Sequence, residues 1–311
     1  MKNILKFSKA GALGILLLSF GACKQDNVNP IDQSSTTAID KQAYSSSSWS
    51  GGGGSDGGVF YALSGGKQLD KLSMGSDWSS DWTSDWNGTG SSDEAVLKSV
   101  TITGLQSGET ILGMDFRPAN GQLYGLGNTS RIYVIDPETG VARMVGTGPI
   151  SPALVGFTTV GFDFNPVVDR IRIVTDNDQN RRVNPDNAVS ITDGNINPAS
   201  SQIAAVAYRN NVAGATSTVL YDIDPVSKKL FRQDPPNAGT LVLIGSLDLN
   251  IAGEGGFDIA PNGYNGLALF KVSGKSTLFT VSLRSGRTRI RAQYAKDYSA
   301  LAIPTSTSTQ R

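Results

Sequence analysis

The hexad Gly113-Met114-Asp115-Phe116-Arg117-Pro118 has the order glycine, apolar, aspartate, apolar, any residue, proline. The same order returns at residues 161–166 and 256–261, and degenerate copies occupy residues 205–210 and 299–304. The copies end at positions 118, 166, 210, 261 and 304, so that successive copies are 43 to 51 residues apart. One four-stranded blade of a β-propeller takes roughly 40 to 50 residues. The recurrence therefore predicts five blades.

The segments between the hexads have the pattern of short strands. Apolar alternations at residues 122–126, 131–135, 170–174 and 240–244 are separated by Gly, Pro, Asn and Asp. No segment of the body shows a sustained helical period. The pattern predicts an all-β domain over residues 59–305.

A second element recurs in step with the hexad. A strand runs into a turn that begins at Asp136, Asn184 or Asp224, each followed by proline, and residues 283–286 stand in the corresponding place of the last repeat. Proline fixes φ, and an Asp or Asn side chain caps the amides of the turn. We expect these turns to join the outer strands of a blade.

The two ends of the body are predicted to share one blade. Residues 59–103 contain strands with no hexad before them, and no strand follows the copy that ends at Pro304. Pairing an inner strand from the C-terminus with outer strands from the N-terminus leaves no open sheet edge. The prediction is a single five-bladed propeller, and six blades, obtained by dividing the long N-terminal section, is the alternative.

The first 22 residues have the pattern of a signal peptide. Three lysines precede an apolar run from Ala10 to Phe20 that is too short to span a bilayer. Residues 19–23 resemble a bacterial lipobox, with cleavage between Ala22 and Cys23 and with Phe20 where leucine is usual. The resemblance implies acylation of Cys23, the only cysteine. We expect a lipid-anchored envelope protein, at the outer membrane and facing the periplasm or the surface; an ordinary secretory signal is the alternative.

Composition limits the chemistry that the chain can carry. It has no histidine, and acylation would remove its only thiol, which excludes catalytic triads with histidine and the usual zinc sites. Cleavage after Ala22 removes three lysines and no acidic residue, leaving 24 Lys and Arg against 27 Asp and Glu. That balance disfavours nucleic acid. We expect no cofactor, with Ca²⁺ bound through oxygen ligands as the alternative.

Three low-complexity segments flank or interrupt the body. Residues 23–58 are rich in Ser and Gly and are expected to form a flexible tether, and residues 306–311 a disordered tail. Residues 75–93 contain three Asp-Trp pairs, with the tryptophans Trp78, Trp82 and Trp86. Exposed tryptophans often contact a sugar or a protein partner. The alternative is a disordered insertion in a hairpin loop.

Two sets of residues are candidate ligand or cation sites. The first is the hexad aspartates Asp115, Asp163 and Asp258, which could line the axial channel or could accept hydrogen bonds from backbone amides as repeated structural residues. The second is Asp176, Asp178 and Asn180, whose spacing resembles the start of a calcium loop, although Arg181 stands where an EF-hand has glycine.

Residues 99–105, 161–166, 179–185 and 220–224 resemble a family of exported bacterial proteins described only as domain of unknown function 4394, which is β-propeller-like. The resemblance covers nearly all of residues 59–304 and implies no activity, and the Trp-Asp insertion is atypical of it. We expect a monomeric, membrane-tethered and non-enzymatic propeller that binds a glycan, a peptide or a protein. The alternatives are a calcium-dependent lactonase or hydrolase, and a structural component of the envelope.

Overall fold

The computed structural model describes residues 58–73, 96–261 and 263–305 of the chain. These residues form five antiparallel sheets of four strands each. The only helical element among them is the 3₁₀ turn Pro236–Ala238. The predicted five-bladed, all-β propeller is confirmed, and the six-bladed alternative is excluded.

The strands of each blade are given from the axis outward. Blade 1 is β20 (Ala300–Ala302), β1 (Val59–Ser64), β2 (Gln68–Ser73) and β3 (Val96–Thr101). Blade 2 is β4 (Ile111–Phe116), β5 (Leu123–Gly127), β6 (Ile132–Ile135) and β7 (Ala142–Met144). Blade 3 is β8 (Val160–Asn165), β9 (Arg170–Thr175), β10 (Asn180–Val183) and β11 (Ser190–Thr192). Blade 4 is β12 (Ala205–Tyr208), β13 (Leu220–Asp224), β14 (Lys229–Gln233) and β15 (Leu241–Ser246). Blade 5 is β16 (Ile251–Asp258), β17 (Asn265–Val272), β18 (Lys275–Ser282) and β19 (Thr288–Tyr294).

The five inner strands, β20, β4, β8, β12 and β16, contact one another in that order and close into a ring. Each blade therefore packs both of its faces against neighbouring blades. Five apolar clusters result, one between each pair of adjacent blades. Because both faces are covered, central strands are apolar without alternation, and residues 267–270 of β17 are all buried.

The ring is closed by the two ends of the chain, as predicted. In blade 1 the C-terminal strand β20 pairs with the N-terminal strand β1, with Ala302 opposite Tyr61 and Ala300 opposite Leu63. The pairing places an N-terminal strand on the free edge that the last inner strand would otherwise expose.

A buried carboxylate reinforces this closure. Asp70 on β2 accepts hydrogen bonds from Ser99 Oγ at 2.5 Å, Lys296 Nζ at 2.5 Å and Tyr298 Oη at 2.7 Å. Burial alone would raise the pKa of Asp70, but the hydrogen bonds from Lys296, Ser99 and Tyr298 outweigh it and lower the pKa below its usual value. Asp70 thus joins residues from both ends of the chain as an ionised group.

One predicted turn lies in a different hairpin. The turns at Asp136 and Asn184 and the turn at residues 283–286 join the third and fourth strands of their blades, as expected. The turn at Asp224 joins the second and third strands of blade 4, so its assignment to the outer strands was wrong. Asp224 Oδ1 caps the amides two and three residues on, as Asp136 Oδ1 does, and this local chemistry suits either hairpin. The outer hairpin of blade 4 instead carries Asp234.

The two ends of the propeller carry different turns, connections and chain termini. Turns between first and second strands and between third and fourth strands lie at one end. At this end in blade 1 lie Gly58, the exit from β2 at Ser73, the entry to β3 at Val96, and Thr305. We call this end the chain-end face. The other end, the opposite face, carries the turns between second and third strands and the connections between blades.

Replacing Asp70 by alanine is expected to lower the free energy of unfolding by about 2 to 4 kcal/mol, because three hydrogen bonds are lost and buried Tyr298 Oη loses its acceptor. Urea denaturation at pH 7 measures the loss. The matched control is Glu138→Ala, whose exposed pairs with Lys98 and Lys71 contribute at most about 1 kcal/mol. The effect of Asp70→Ala should shrink as the pH falls below about 4, because the stabilisation requires the ionised carboxylate. Equal losses in both variants would contradict a closure stabilised by Asp70.

Candidate functional site: the axial aspartate ring

Three carboxylates meet on the axis of the propeller. Asp115, Asp163 and Asp258 stand at the third hexad position of β4, β8 and β16, and each is about 1% exposed. A carboxylate oxygen of each lies within 4.8 Å of the others. The hexad therefore brings together its three aspartates, which we call the axial ring.

Each of these aspartates accepts hydrogen bonds from two backbone amides, one in its own strand and one in the next blade. Asp115 accepts from Phe116 N at 2.7 Å and from Phe164 N at 2.9 Å. Asp163 accepts from Tyr208 N at 3.0 Å and also from the amide of Phe164. An inner strand is paired only on its outer side, so amides that point at the axis need another acceptor. The carboxylates supply it.

Asp258 completes the set. It accepts from Ile259 N at 2.5 Å and from Ile303 N, in blade 1, at 2.6 Å. The three aspartates therefore satisfy one axis-facing amide in each of the five blades, those of Phe116, Phe164, Tyr208, Ile259 and Ile303. Blades 4 and 1, whose amides are already bonded, have Ala207 and Ala302 in place of aspartate.

These hydrogen bonds correct the register of the closing hexad copy. The sequence places that copy at residues 299–304, which would put Leu301 in the aspartate position. Ile303 N donates to Asp258 as Tyr208 N, at the fourth hexad position, donates to Asp163. Ile303 therefore occupies the fourth hexad position, so the closing copy is residues 300–305 and Ala302 stands in the aspartate position. The alignment of the hexad copies did not show this one-residue shift, because the closing copy has neither the glycine nor the aspartate that fixes the alignment of the others.

Glycine at the first hexad position allows the inner strands to approach closely. A Cβ on Gly161 would lie 2.7 Å from Val206 N of the next blade, so no larger residue fits there without movement. The axial cavity between these strands has a volume of ≈ 10 Å³ and is lined by the first two hexad positions of each blade, together with Val160 and Gly255. It has room for about one water molecule.

Burial raises the pKa of all three ring carboxyls, and repulsion from neighbouring carboxylates adds to the shift at Asp115 and Asp163. Burial is the main cause in each case and takes the pKa of Asp258 to about 7. The pKa of Asp115 is raised further by the charge of Asp258, and that of Asp163 by the charges of both. The amide hydrogen bonds act in the other direction. The ring therefore retains protons at pH values where exposed aspartates are fully ionised.

Comparison with protein families identifies the family of this chain. The family model described as Domain of unknown function (DUF4394) matches residues 89–302, more than half of the 311 residues. The chain belongs to the DUF4394 family. The predicted resemblance is thus confirmed. None of the curated proteins matches the chain.

Three solved structures are similar to this DUF4394 protein at low sequence identity and low TM-score. TolB from Acinetobacter baumannii aligns at 12% identity with a TM-score of 0.47, over 78% of this chain and 55% of that one. A protein of unknown function from Bacteroides thetaiotaomicron aligns at 12% identity with a TM-score of 0.46, over 78% and 61%. A chain of a nidogen/laminin complex aligns at 12% identity with a TM-score of 0.39, over 56% and 62%. The chain spans less than two thirds of each, and these similarities carry no functional argument.

The proposed calcium loop lies at the turn between β9 and β10, on the opposite face. Asp176 accepts hydrogen bonds from Thr158 N at 3.0 and 3.2 Å. Asn180 points inward, where its oxygen accepts from Arg172 Nη1 at 2.8 Å. Asp178 has one buried carboxylate oxygen, Oδ1, that has no hydrogen-bond partner within residues 58–73, 96–261 and 263–305. The three residues thus have different surroundings, and calcium binding by this loop stays a prediction.

Other predicted site residues lie outside the described residues. These are Ala22 and Cys23 of the lipobox and the tryptophans Trp78, Trp82 and Trp86. The strand ends that flank the tryptophan insertion, Ser73 and Val96, lie on the chain-end face. Lipidation and partner contact by these residues stay predictions.

A buried polar cluster between blades 3 and 4 was not predicted. Arg172, which is 1% exposed, donates to Asp193 at 2.7 Å, to Asn237 at 2.7 Å and to Tyr208 Oη at 3.2 Å, besides its bond to Asn180. The apolar alternation in residues 170–174 indicates a strand but does not indicate the partners of Arg172. A propeller buries both faces of each blade, so a charged residue on the second strand of a blade had to be paired inside.

Asp222 shares this interface and differs from the axial ring. It is fully buried and neither carboxylate oxygen has a hydrogen-bond partner among the described residues. Burial raises its pKa well above the usual value, and the charge of Arg172 opposes the shift only in part. Asp222 thus adds to the proton-retaining carboxyls of the core.

The free energy of unfolding is expected to fall as the pH rises from about 4 to about 8. Stability falls with pH because the pKa of each ring carboxyl is higher in the folded protein than in the unfolded chain. The stabilisation is fully present below the unfolded-state pKa near 3.8 and is lost as the pH rises through the folded-state pKa. Asp258→Asn should be less stable than the wild type at pH 5, because its amide offers only one acceptor, and the difference should narrow by pH 8. Urea titrations at both pH values test this. Asp297→Asn, an exposed aspartate, should follow the wild type; a wild-type stability that rises from pH 5 to 8 would contradict the account.

Proposed function

We propose that this DUF4394 protein is a lipid-anchored envelope protein whose propeller binds or holds a partner without catalysis. One observation supports the proposal that the propeller is not catalytic. The three carboxylates on the axis, where a propeller enzyme would place its reactive groups, are bonded to backbone amides of the inner strands. Their geometry supports a structural role, because moving any of them toward a substrate would leave buried amides unpaired.

The proposed anchor is Cys23. Its support is the lipobox pattern at residues 19–23 and the absence of any other cysteine from the chain. Among the described residues, no helix is long and apolar enough to cross a membrane. Two or three acyl chains would supply stable attachment, since each buried methylene contributes about 0.8 kcal/mol.

The proposed partner is a glycan, a peptide or a protein that contacts the opposite face. That face carries the longest connections between blades, at residues 145–159 and 193–204. Their exposed polar side chains, among them Ser151, Asn195 and Ser200, offer hydrogen-bonding groups without strong charge. Such groups are typical of surfaces that bind polar ligands by several weak contacts.

Cys23 acylation is expected to be demonstrable directly. Cells that express the full chain and are fed an alkyne fatty acid should incorporate label into the wild type and not into Cys23→Ser. A second variant that combines Cys23→Ser with Ser45→Cys is the control, because it restores a thiol outside the lipobox and should stay unlabelled. Label in either variant, or none in the wild type, would contradict the proposed anchor.

The alternative of a calcium-dependent enzyme is favoured by one observation, the approach of three carboxylate oxygens to within 4.8 Å. A bound cation would offset their repulsion. We expect the melting temperature to be the same in 1 mM Ca²⁺ and in chelator, because the oxygens already accept hydrogen bonds. A rise of several degrees with Ca²⁺ in the wild type and in Asp297→Asn, but not in Asp115→Asn, would contradict the proposal and support the enzyme.

A further inference from the structure

We propose that the chain-end face lies against the bilayer that holds the anchor, and that the opposite face points away from it. This inference rests on the proposed lipidation of Cys23 and goes further, because a tethered domain could in principle take any orientation. It assigns an interaction surface, the chain-end face, and a partner, the lipid headgroup region.

The first support is where the chain enters the propeller. Gly58 precedes β1, which pairs with β20, so the N-terminal entry and the C-terminal exit at Thr305 lie side by side on the chain-end face. The entry point lies in blade 1, next to the innermost strand and not on the outer rim. A chain attached to a membrane through Cys23 therefore meets the domain near the centre of this face.

The second support is the distribution of exposed apolar side chains. Twelve large apolar residues are exposed in the part of the chain that the structure describes. Eight of them lie in turns of the chain-end face or in the first two residues of strands that begin there. The four in turns are Val141, Val167, Val189 and Tyr264, and the others begin β3, β11 and β15.

The opposite face has few such residues. Val155 and Val226 lie in its loops and Met144 ends a strand there, while Leu243 lies in the middle of β15. Exposed apolar side chains are unfavourable in water and favourable in the outer part of a bilayer, where tyrosine is also enriched. The asymmetry thus coincides with the end at which the tether enters.

Tether length makes the orientation a real question. Thirty-four residues lie between Cys23 and Gly58, which could extend to at most about 120 Å. Attachment alone would therefore allow the domain to stand clear of the membrane or to turn over. Contact by the chain-end face requires the surface itself to favour lipid.

A matched pair of positions tests the orientation. Val189 on the chain-end face and Val226 on the opposite face are 60% and 63% exposed valines in turns. Full-length, lipidated Val189→Cys and Val226→Cys are each labelled with an environment-sensitive fluorophore and reconstituted into vesicles of phosphatidylethanolamine and phosphatidylglycerol. Some of the lipids carry a headgroup nitroxide quencher. Quenching should be at least threefold stronger at position 189 than at position 226.

Flotation of the same vesicles separates the two possible failures. Protein that does not float with the vesicles overturns the proposed anchoring, and this inference with it. Protein that floats but shows equal quenching at both positions, or stronger quenching at 226, overturns the orientation alone. Adding Val141→Ser and Val167→Ser to the Val189→Cys protein should halve its quenching or more without changing flotation; unchanged quenching would show that the apolar turns do not hold the face against lipid.

Discussion

The innermost strand of a propeller blade has an edge with no neighbouring strand, and the rest of this structure depends on how that edge is satisfied. Five inner strands surround the axis, and at the height of the aspartate ring each blade directs one backbone amide toward it. A carboxylate has two oxygens, so three aspartates can serve all five amides. Their placement in blades 2, 3 and 5 achieves this, because each serves its own blade and the next. Aspartate would have no further amide to bond in blades 4 and 1, and alanine stands there.

The same solution has an electrostatic cost. Three carboxyls within 4.8 Å and out of contact with water cannot all be ionised cheaply, so their pKa values rise and the core retains protons. The oxygens of these carboxyls already accept hydrogen bonds from backbone amides of the inner strands. The proposed partner recognition is therefore assigned to the ends of the propeller, where the two faces differ in apolar exposure and in the chain segments that leave them.

Sequence periodicity predicted the blade number and the shared first blade, and it placed Asp115, Asp163 and Asp258 at the same position of their blades, because all three follow from spacing alone. Whether these aspartates line the axis or accept hydrogen bonds from backbone amides was left open by the sequence, and the structure shows both. Periodicity did not predict the register of the closing copy, which lacks glycine and aspartate, or the hairpin that contains Asp224, whose capping chemistry suits any tight turn. It also missed the partners of Arg172. These come from segments 8 to 65 residues away, and pairing of that kind depends on which blades pack together.

Residue-resolved amide hydrogen exchange in Asp163→Ala tests the shared-acceptor arrangement most directly. Tyr208 N has Asp163 as its carboxylate acceptor, whereas Phe164 N is also bonded to Asp115. The account predicts that exchange at Tyr208 accelerates by at least tenfold while Phe164 and Ile303 keep the protection that they have in the wild type. Unchanged protection at Tyr208, in a variant that remains folded, would contradict the claim that the aspartates satisfy the inner edges of the ring.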